Sequence, residues 1–372
     1  MRFARTAATL IIPFALVALA ACEGSDAAPA AVTVADTTPP TTKPKATTTT
    51  EESTTSSSSS SSSTTSTTIA PDPVMPLTGL PITDPAVAAR PAVVVKVSND
   101  PGARPQSGLN YADIVFEAWG AGPTRFATVF QSQDAPEVGP VRSARTQDVD
   151  LVGSFNGAVF ACSGGNNGAI AAIRGSDLLV LTESQGPGWF LKKGRHRPHA
   201  TYNDTASLRS NAAPDRPGPA QQFQYRKDGD VTPGVPSPGF KLHIEAVHAQ
   251  WDYNAATNSY ERSQEGKPHL LADKSQVAFN NVAVLWIDYG HSEADVRSPD
   301  GGTIGKGKAV VFTNGKMIDA QWSRTDRLQP IQLTDASGAP VLLTPGTTFF
   351  ELANSGLGTF PGTDELEVFP AA

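Results

Sequence analysis

Cysteine is nearly absent: two in 372 residues, Cys22 and Cys162. A single pairing is the most the chain can form, and none if Cys22 is otherwise used, so no disulfide framework staples the fold. Positive charge is also short. The chain carries 29 Lys and Arg against 36 Asp and Glu, a net of −7. That balance argues against nucleic acid and against a polybasic membrane patch. Long apolar runs are missing after Ala21. The one at the start, Ala7 to Ala21, is interrupted by Pro13 and preceded by Arg2 and Arg5, and it is short for a spanning helix.

That opening has the form of a secretory signal over residues 1–21. Leu19-Ala20-Ala21-Cys22 places small residues directly before a cysteine, as a bacterial lipobox does, which predicts a diacylglyceryl group on Cys22. Two or three acyl chains on one residue anchor a protein far more firmly than one chain. Removing residues 1–21 takes away two arginines and no acid, leaving 27 basic against 36 acidic residues, a net of −9.

Residues 22–73 show no apolar periodicity, and positions 47–68 are Ser or Thr except Glu51 and Glu52. Such a stretch buries too little surface to offset its ordering entropy, so it is expected to be a disordered tether. As a coil it would reach on the order of 40 Å, and in an extended polyproline-like form on the order of 150 Å. Its hydroxyls either accept sugars or serve a plain spacer.

The remainder is long enough for a sizeable core and predicts two domains. Over residues 74–220 the expectation is α/β (or α+β). Ala92–Val97 and Arg125–Gln131 have strand character, and Val149, Val152 and Phe155 recur at helical spacing with Ser143 or Thr146 as the cap. A strand at Ala158–Ala161, a turn at Cys162–Gly165 and a helix at Asn167–Arg174 repeat the unit. Residues 221–240 are rich in Pro and Gly and form the junction. Residues 241–372 alternate short apolar runs with turns, including Asn314-Gly315 between two runs, the strongest short-range hairpin signal, so this domain is expected to be mainly β.

Gly139-Pro-Val-Arg-Ser-Ala-Arg-Thr146 holds two guanidinium groups three residues apart. Each offers a planar fork suited to carboxylate or phosphate at any physiological pH. Arg142 and Arg145 are the candidate forks for an anionic group, with Arg104 and Arg125 as further cations and Ser143 as a hydroxyl donor. The competing expectation is structural, with the arginines paired to Asp113, Glu117, Asp148 or Asp150. Asp113 and Glu117, as a possible acid and base, would lie about 13 Å apart on a strand, too far for either glycosidase geometry.

Lys192–His199 adds four cations and two histidines. Flanking arginines and Pro198 argue against a metal at His196 and His199, and no cofactor is implied. Cys162 is either a nucleophile served by one of those histidines or a small buried residue. Trp286 is expected in the core, and Trp322, at a strand end, is the better candidate to stack on a sugar ring.

Several stretches resemble the YerB-like lipoproteins, a family defined as a domain of unknown function. In the first half these are Pro76–Pro81, Ala103–Gly108, Ala112–Glu117, Thr124–Phe126 and Gly139–Arg145. In the second they are Gly305–Gly307, Asn314–Lys316, Trp322–Arg324 and Leu343–Gly346. The resemblance spans about residues 74–369. It implies an α/β N-terminal domain, a β-rich C-terminal domain and no established activity. Where the family has a Lys-Ala-Pro-His-Asn-like segment, this chain has Arg197-Pro-His-Ala-Thr201, so His199 matches and the following Asn does not. The resulting expectation is a lipid-anchored protein on the outer face of the bacterial cytoplasmic membrane, binding an anionic group of an envelope polymer or precursor. The alternatives are a hydrolase or transferase using the same arginines, and a scaffold for envelope protein partners.

Overall fold

The computed structural model describes residues 73–371. The signal segment, Cys22 and the Ser/Thr-rich stretch lie outside the described residues. In chain order the principal strands of the first half are Val93–Ser98 (β1), Ile114–Ala118 (β2), Arg125–Phe130 (β3), Val159–Cys162 (β4) and Leu179–Thr182 (β5). The second half adds Gly239–Ile244 (β6), Val247–Asn254 (β7), Ser259–Gln264 (β8), Asn281–Ile287 (β9), Gly305–Thr313 (β10) and Lys316–Arg324 (β11). Gln332–Asp335 (β12), Thr348–Asn354 (β13) and Glu365–Val368 (β14) complete the set. Helices are short: Pro85–Ala89 (α1), Asp148–Leu151 (α2), Asn167–Arg174 (α3) and Thr205–Arg209 (α4). None is long and apolar enough among the described residues to cross a membrane.

An α/β first half and a mainly β second half share one eleven-stranded sheet, ordered β12-β11-β10-β9-β13-β2-β3-β1-β4-β5, with Val235–Pro236 added beside β11. The seam is parallel: β13 lies between β9 and β2, and Val115 stands beside Phe349 and Glu117 beside Glu351. A strand flanked on both faces reads as a near-continuous apolar run, and β1, β2, β3 and β13 are buried at every position, the charged Lys96, Glu117, Arg125 and Glu351 included. The alternation in Arg125–Phe130 therefore does not mark a solvent face, since both of its faces are covered.

A second, six-stranded sheet carries β8, β7, β6 and β14 and packs on the first. Phe240 stacks on Phe312 with ring centres 4.0 Å apart, and Trp251 meets Phe349 edge-on at 4.9 Å. The β10–β11 hairpin turns at Asn314 and Gly315, both left-handed (φ 49° and 68°), as that dipeptide allows without cost.

Four local expectations change. Val149, Val152 and Phe155 do not share one helix: α2 ends at Leu151 and a 3₁₀ turn, Gly153–Phe155, follows. Gly153 packs against the Arg327 backbone, where a Cβ would lie 2.6 Å from its carbonyl oxygen. Neither Ser143 nor Thr146 caps α2; Gln147 stands at the N-cap without a side-chain bond. Trp322 is buried at 3 % exposure, its indole N–H donating to the Trp286 carbonyl, so it offers no stacking face. The half-buried tryptophan is Trp286, with the Lys308 ammonium 4.6 Å from its ring centre.

Candidate functional site

Strands β1, β2, β4, β5, β9 and β13 run in one direction, so their carboxyl ends form one edge of the sheet. The chain leaves β1 toward β2 on one side and leaves β4 toward β5 on the other, which makes the β1–β4 crevice a topological switch point. The arginine loop fills that crevice. Val141 bridges Val97, and the Arg142 N–H donates to the Lys96 carbonyl at 2.7 Å. From β4, the Ser163 N–H donates to the Arg142 carbonyl at 3.1 Å, and the Ala144 N–H donates to the Gly164 carbonyl at 2.8 Å. The loop starts at Gly139, whose φ of 152° and close approach to Tyr202 exclude a side chain; a Cβ would lie 2.6 Å from that ring.

Beneath the loop, Lys96 and Asp148 form a fully buried ion pair at 2.8 Å. The other Asp148 oxygen accepts the Arg145 N–H at 2.8 Å, so the loop is tied to the same carboxylate. Burial draws the Lys96 ammonium below its usual range; Asp148 opposes that shift, and Arg125 and Arg145 add to it.

Three guanidinium groups gather above. Arg125 opens β3 and donates to the Gly120 carbonyl at 2.7 Å, and Arg145 donates to the same oxygen at 3.1 Å. Burial, followed by the charges of Arg145 and Arg142, brings Arg125 down to about 9. Arg145 is also lowered, by burial and then by Arg142, against the pull of Asp148, and its Nε is buried without a partner. Among the described residues, none of Arg104, Arg125, Arg142 and Arg145 forms an ion pair. Glu245 grips the same loop from the other side, accepting the Gly120 and Gly122 N–H groups at 3.2 and 3.1 Å. Its burial pushes that carboxyl up to about 7.

His199 reaches this edge from downstream, with Nε2 3.4 Å from Asp100. Burial and then the charges of Arg142 and Arg195 lower it, against the pull of Asp100, which favours the neutral ring. The neighbouring cations are committed elsewhere: Lys192 to Glu137, Arg197 to Glu183, and Arg195 to the carbonyls of Gly102, Ala103 and Pro105.

The structure thus brings Arg125, Arg142, Arg145 and His199 to one edge, with Ser143 in the same loop. It does not bring Asp113 or Glu117 there. Asp113 precedes β2, at the opposite end, and accepts the N–H groups of Gln131 and Ser132 at 2.5 and 2.8 Å. Glu117 is fully buried and accepts from Arg262 and Asn99 at 2.7 and 2.8 Å. The adjoining Glu351 is driven well above the usual carboxylate range by burial and by Glu117, and it accepts the Trp251 indole N–H at 2.8 Å. Arg104 also stands apart, at a separate cleft. Cys162 is buried, its thiol pushed up to about 11 by desolvation, so it is unsuited to nucleophilic attack at neutral pH. Among the described residues no three His, Cys, Asp or Glu converge as a metal-binding group.

Sequence reasoning did not single out Lys96, Gly120 and Glu245. Only Lys96 carried a signal, as a charge inside the apolar run Ala92–Val97.

Residues 77–218 match the N-terminal domain, and residues 240–350 the C-terminal domain, of the family described as protein of unknown function DUF3048. Over 296 residues the chain is 29 % identical to the protein YerB of Bacillus subtilis (strain 168), whose name marks its lipoprotein status as provisional. That alignment covers 74 % of this chain and 85 % of the relative. The fold is similar to the crystal structure of YerB from Bacillus subtilis, with a TM-score of 0.67 and 24 % identity, covering 79 % of this chain and 99 % of the other. The arrangement of the two matched domains, in order and over most of the described residues, shows that the chain belongs to the YerB-like DUF3048 family.

Proposed function

We propose that this protein is a lipid-anchored extracytoplasmic protein that binds an anionic group of a cell-envelope polymer or precursor through Arg125, Arg142 and Arg145, with Ser143 and His199 at the rim. The observation that carries the reading is the convergence of guanidinium groups at the carboxyl edge without a carboxylate partner. Like charges held together in a half-buried place disfavour one another, and a phosphate or carboxylate relieves that repulsion while accepting bidentate bonds. The lipobox before Cys22 and the lipoprotein name of the relative support the anchored location. Binding is favoured over turnover because the adjacent thiol, Cys162, is buried and held protonated.

The test is the melting temperature of the full-length chain against phosphate- and carboxylate-bearing envelope fragments, beside an Arg142→Ala, Arg145→Ala double variant. A ligand at a hundredfold its dissociation constant adds about 2.7 kcal/mol to the native state. A shift in the parent that is absent in a folded double variant is the expected result. No shift with any fragment, together with a strongly destabilised variant, would show the arginines to be structural.

A further inference from the structure

A concavity lies where the loop after β1 meets the segment Lys267–Lys274. It has a volume of about 570 Å³, within the roughly 300–1,000 Å³ range of small-molecule sites. Its walls are pinned to each other, the Ala272 N–H donating to the Gln106 carbonyl at 2.8 Å and Gln106 Nε2 donating to the Ser98 carbonyl at 3.0 Å. The cleft is therefore set by the fold and not by a loose loop.

Two donors on this cleft lack acceptors. Arg104 has a buried Nε without a partner, and its terminal nitrogens make no hydrogen bond among the described residues. Gln264 is 4 % exposed. Its Oε1 accepts from Arg262, which fixes the amide orientation and leaves Nε2 as the buried, unpartnered atom. His269 contributes no further ligand group. Its Nδ1 accepts from Arg262 at 2.8 Å and its Nε2 donates to Gln106 at 3.0 Å, and burial with the Arg262 charge keeps the ring neutral. The rim is cationic, with Arg104, Lys267 and Lys274 against Glu265. The rest is apolar: Pro105 and Leu270 line it, and Leu270 is 47 % exposed.

We infer that this cleft binds a small amphiphile with one anionic head, a carboxylate or a phosphate monoester, and an apolar body. The head meets Arg104 and the Gln264 amide, and the body lies along Pro105 and Leu270. Unpaired donors on the cleft call for an acceptor, the surrounding cations select an anion, and the apolar wall calls for hydrocarbon. This site is distinct from the Arg125, Arg142 and Arg145 edge, and neither depends on the other.

The experiment is calorimetric titration of the full-length chain with octanoate, octyl phosphate, octanol and octylamine. Octanoate, octyl phosphate or both should bind saturably with one equivalent per chain, and octanol and octylamine at least tenfold more weakly. The preferred head separates a fatty-acid-like ligand from a phosphate ester. Arg104→Ala should weaken binding tenfold or more and Lys267→Glu, at an exposed position, severalfold, while the Arg142→Ala, Arg145→Ala double variant should bind as the parent does. Lys267→Glu carries the test if Arg104→Ala does not fold. The inference is overturned if neither anion binds below millimolar concentration, if octanol or octylamine binds as well, or if loss of affinity follows Arg142 and Arg145 and not the cleft variants.

Discussion

Replacing Lys96 by Met tests the support under the arginine loop. Lys96 and Asp148 are both fully buried and 2.8 Å apart, so Lys96→Met strips the carboxylate of its paired ammonium and leaves it the Arg145 N–H as its hydrogen-bond donor. Breaking a buried pair by removing one partner costs about 3–5 kcal/mol, because the remaining charge has lost its counter-ion and gains no water. Asp148→Asn keeps an acceptor for the Arg145 N–H but strands the ammonium, with a cost on the same scale. That variant should also gain stability as pH rises toward 10.5, the unfolded lysine value, because the native state gives up the Lys96 proton at lower pH than the unfolded chain does. The double variant removes both charges and keeps the amide acceptor, so it should lose less than about 2 kcal/mol. Urea unfolding at constant m-value gives all three numbers and hence the coupling energy, expected at about 4 kcal/mol or more. Costs that simply add, within about 0.5 kcal/mol, would refute the claim that the pair acts as a unit.

Other outcomes are equally accessible. Glu245 ionises near 4.5 when unfolded and near 7 in the native protein, so the native state holds the extra proton between those values. Stability should therefore fall as pH rises through that window, by up to about 3 kcal/mol, and Glu245→Gln should flatten the profile measured by urea midpoints. Gly139→Ala places a Cβ against the Tyr202 ring in left-handed backbone and should cost about 2 kcal/mol or more by the same method. Cys162 should resist iodoacetamide in the native protein at pH 7.5 and react once unfolded; rapid native alkylation would contradict its burial and raised pKa.

Much of the fold was legible from short-range signals. The Ala92–Val97 run became β1 because consecutive β-branched residues suit a strand covered on both faces. Asn314-Gly315 became the β10–β11 turn because both residues tolerate positive φ. Asn167–Arg174 became α3, with Asn166 accepting the Ala169 N–H at 2.7 Å as its cap. Signals with two local solutions failed. The spacing of Val149, Val152 and Phe155 suits one helix or a helix broken into a 3₁₀ turn, and the Arg327 backbone packed at Gly153 accompanies the break. Trp322 at a strand end looked exposed because a strand pattern does not say which layer covers it.

The candidate site divides the same way. Arg142 and Arg145, three residues apart on a loop opened by Gly139-Pro140, are visible in the chain, and so is their suitability for an anion. What they lack is not visible. Whether an arginine is free or paired depends on carboxylates that are distant in sequence, and here Asp148 is taken by Lys96 and Glu117 by Arg262, 145 residues away. The sharing of the Gly120 carbonyl by Arg125 and Arg145 exists only once β2, β3 and the loop at the β1–β4 crevice are assembled. Which segments become strands and turns, and which residues carry fixed charge, can be read along the chain, because those follow from backbone sterics and side-chain chemistry. Which charges meet, which are neutralised and which are left facing outward emerges only on assembly, because packing between elements far apart in the chain sets it.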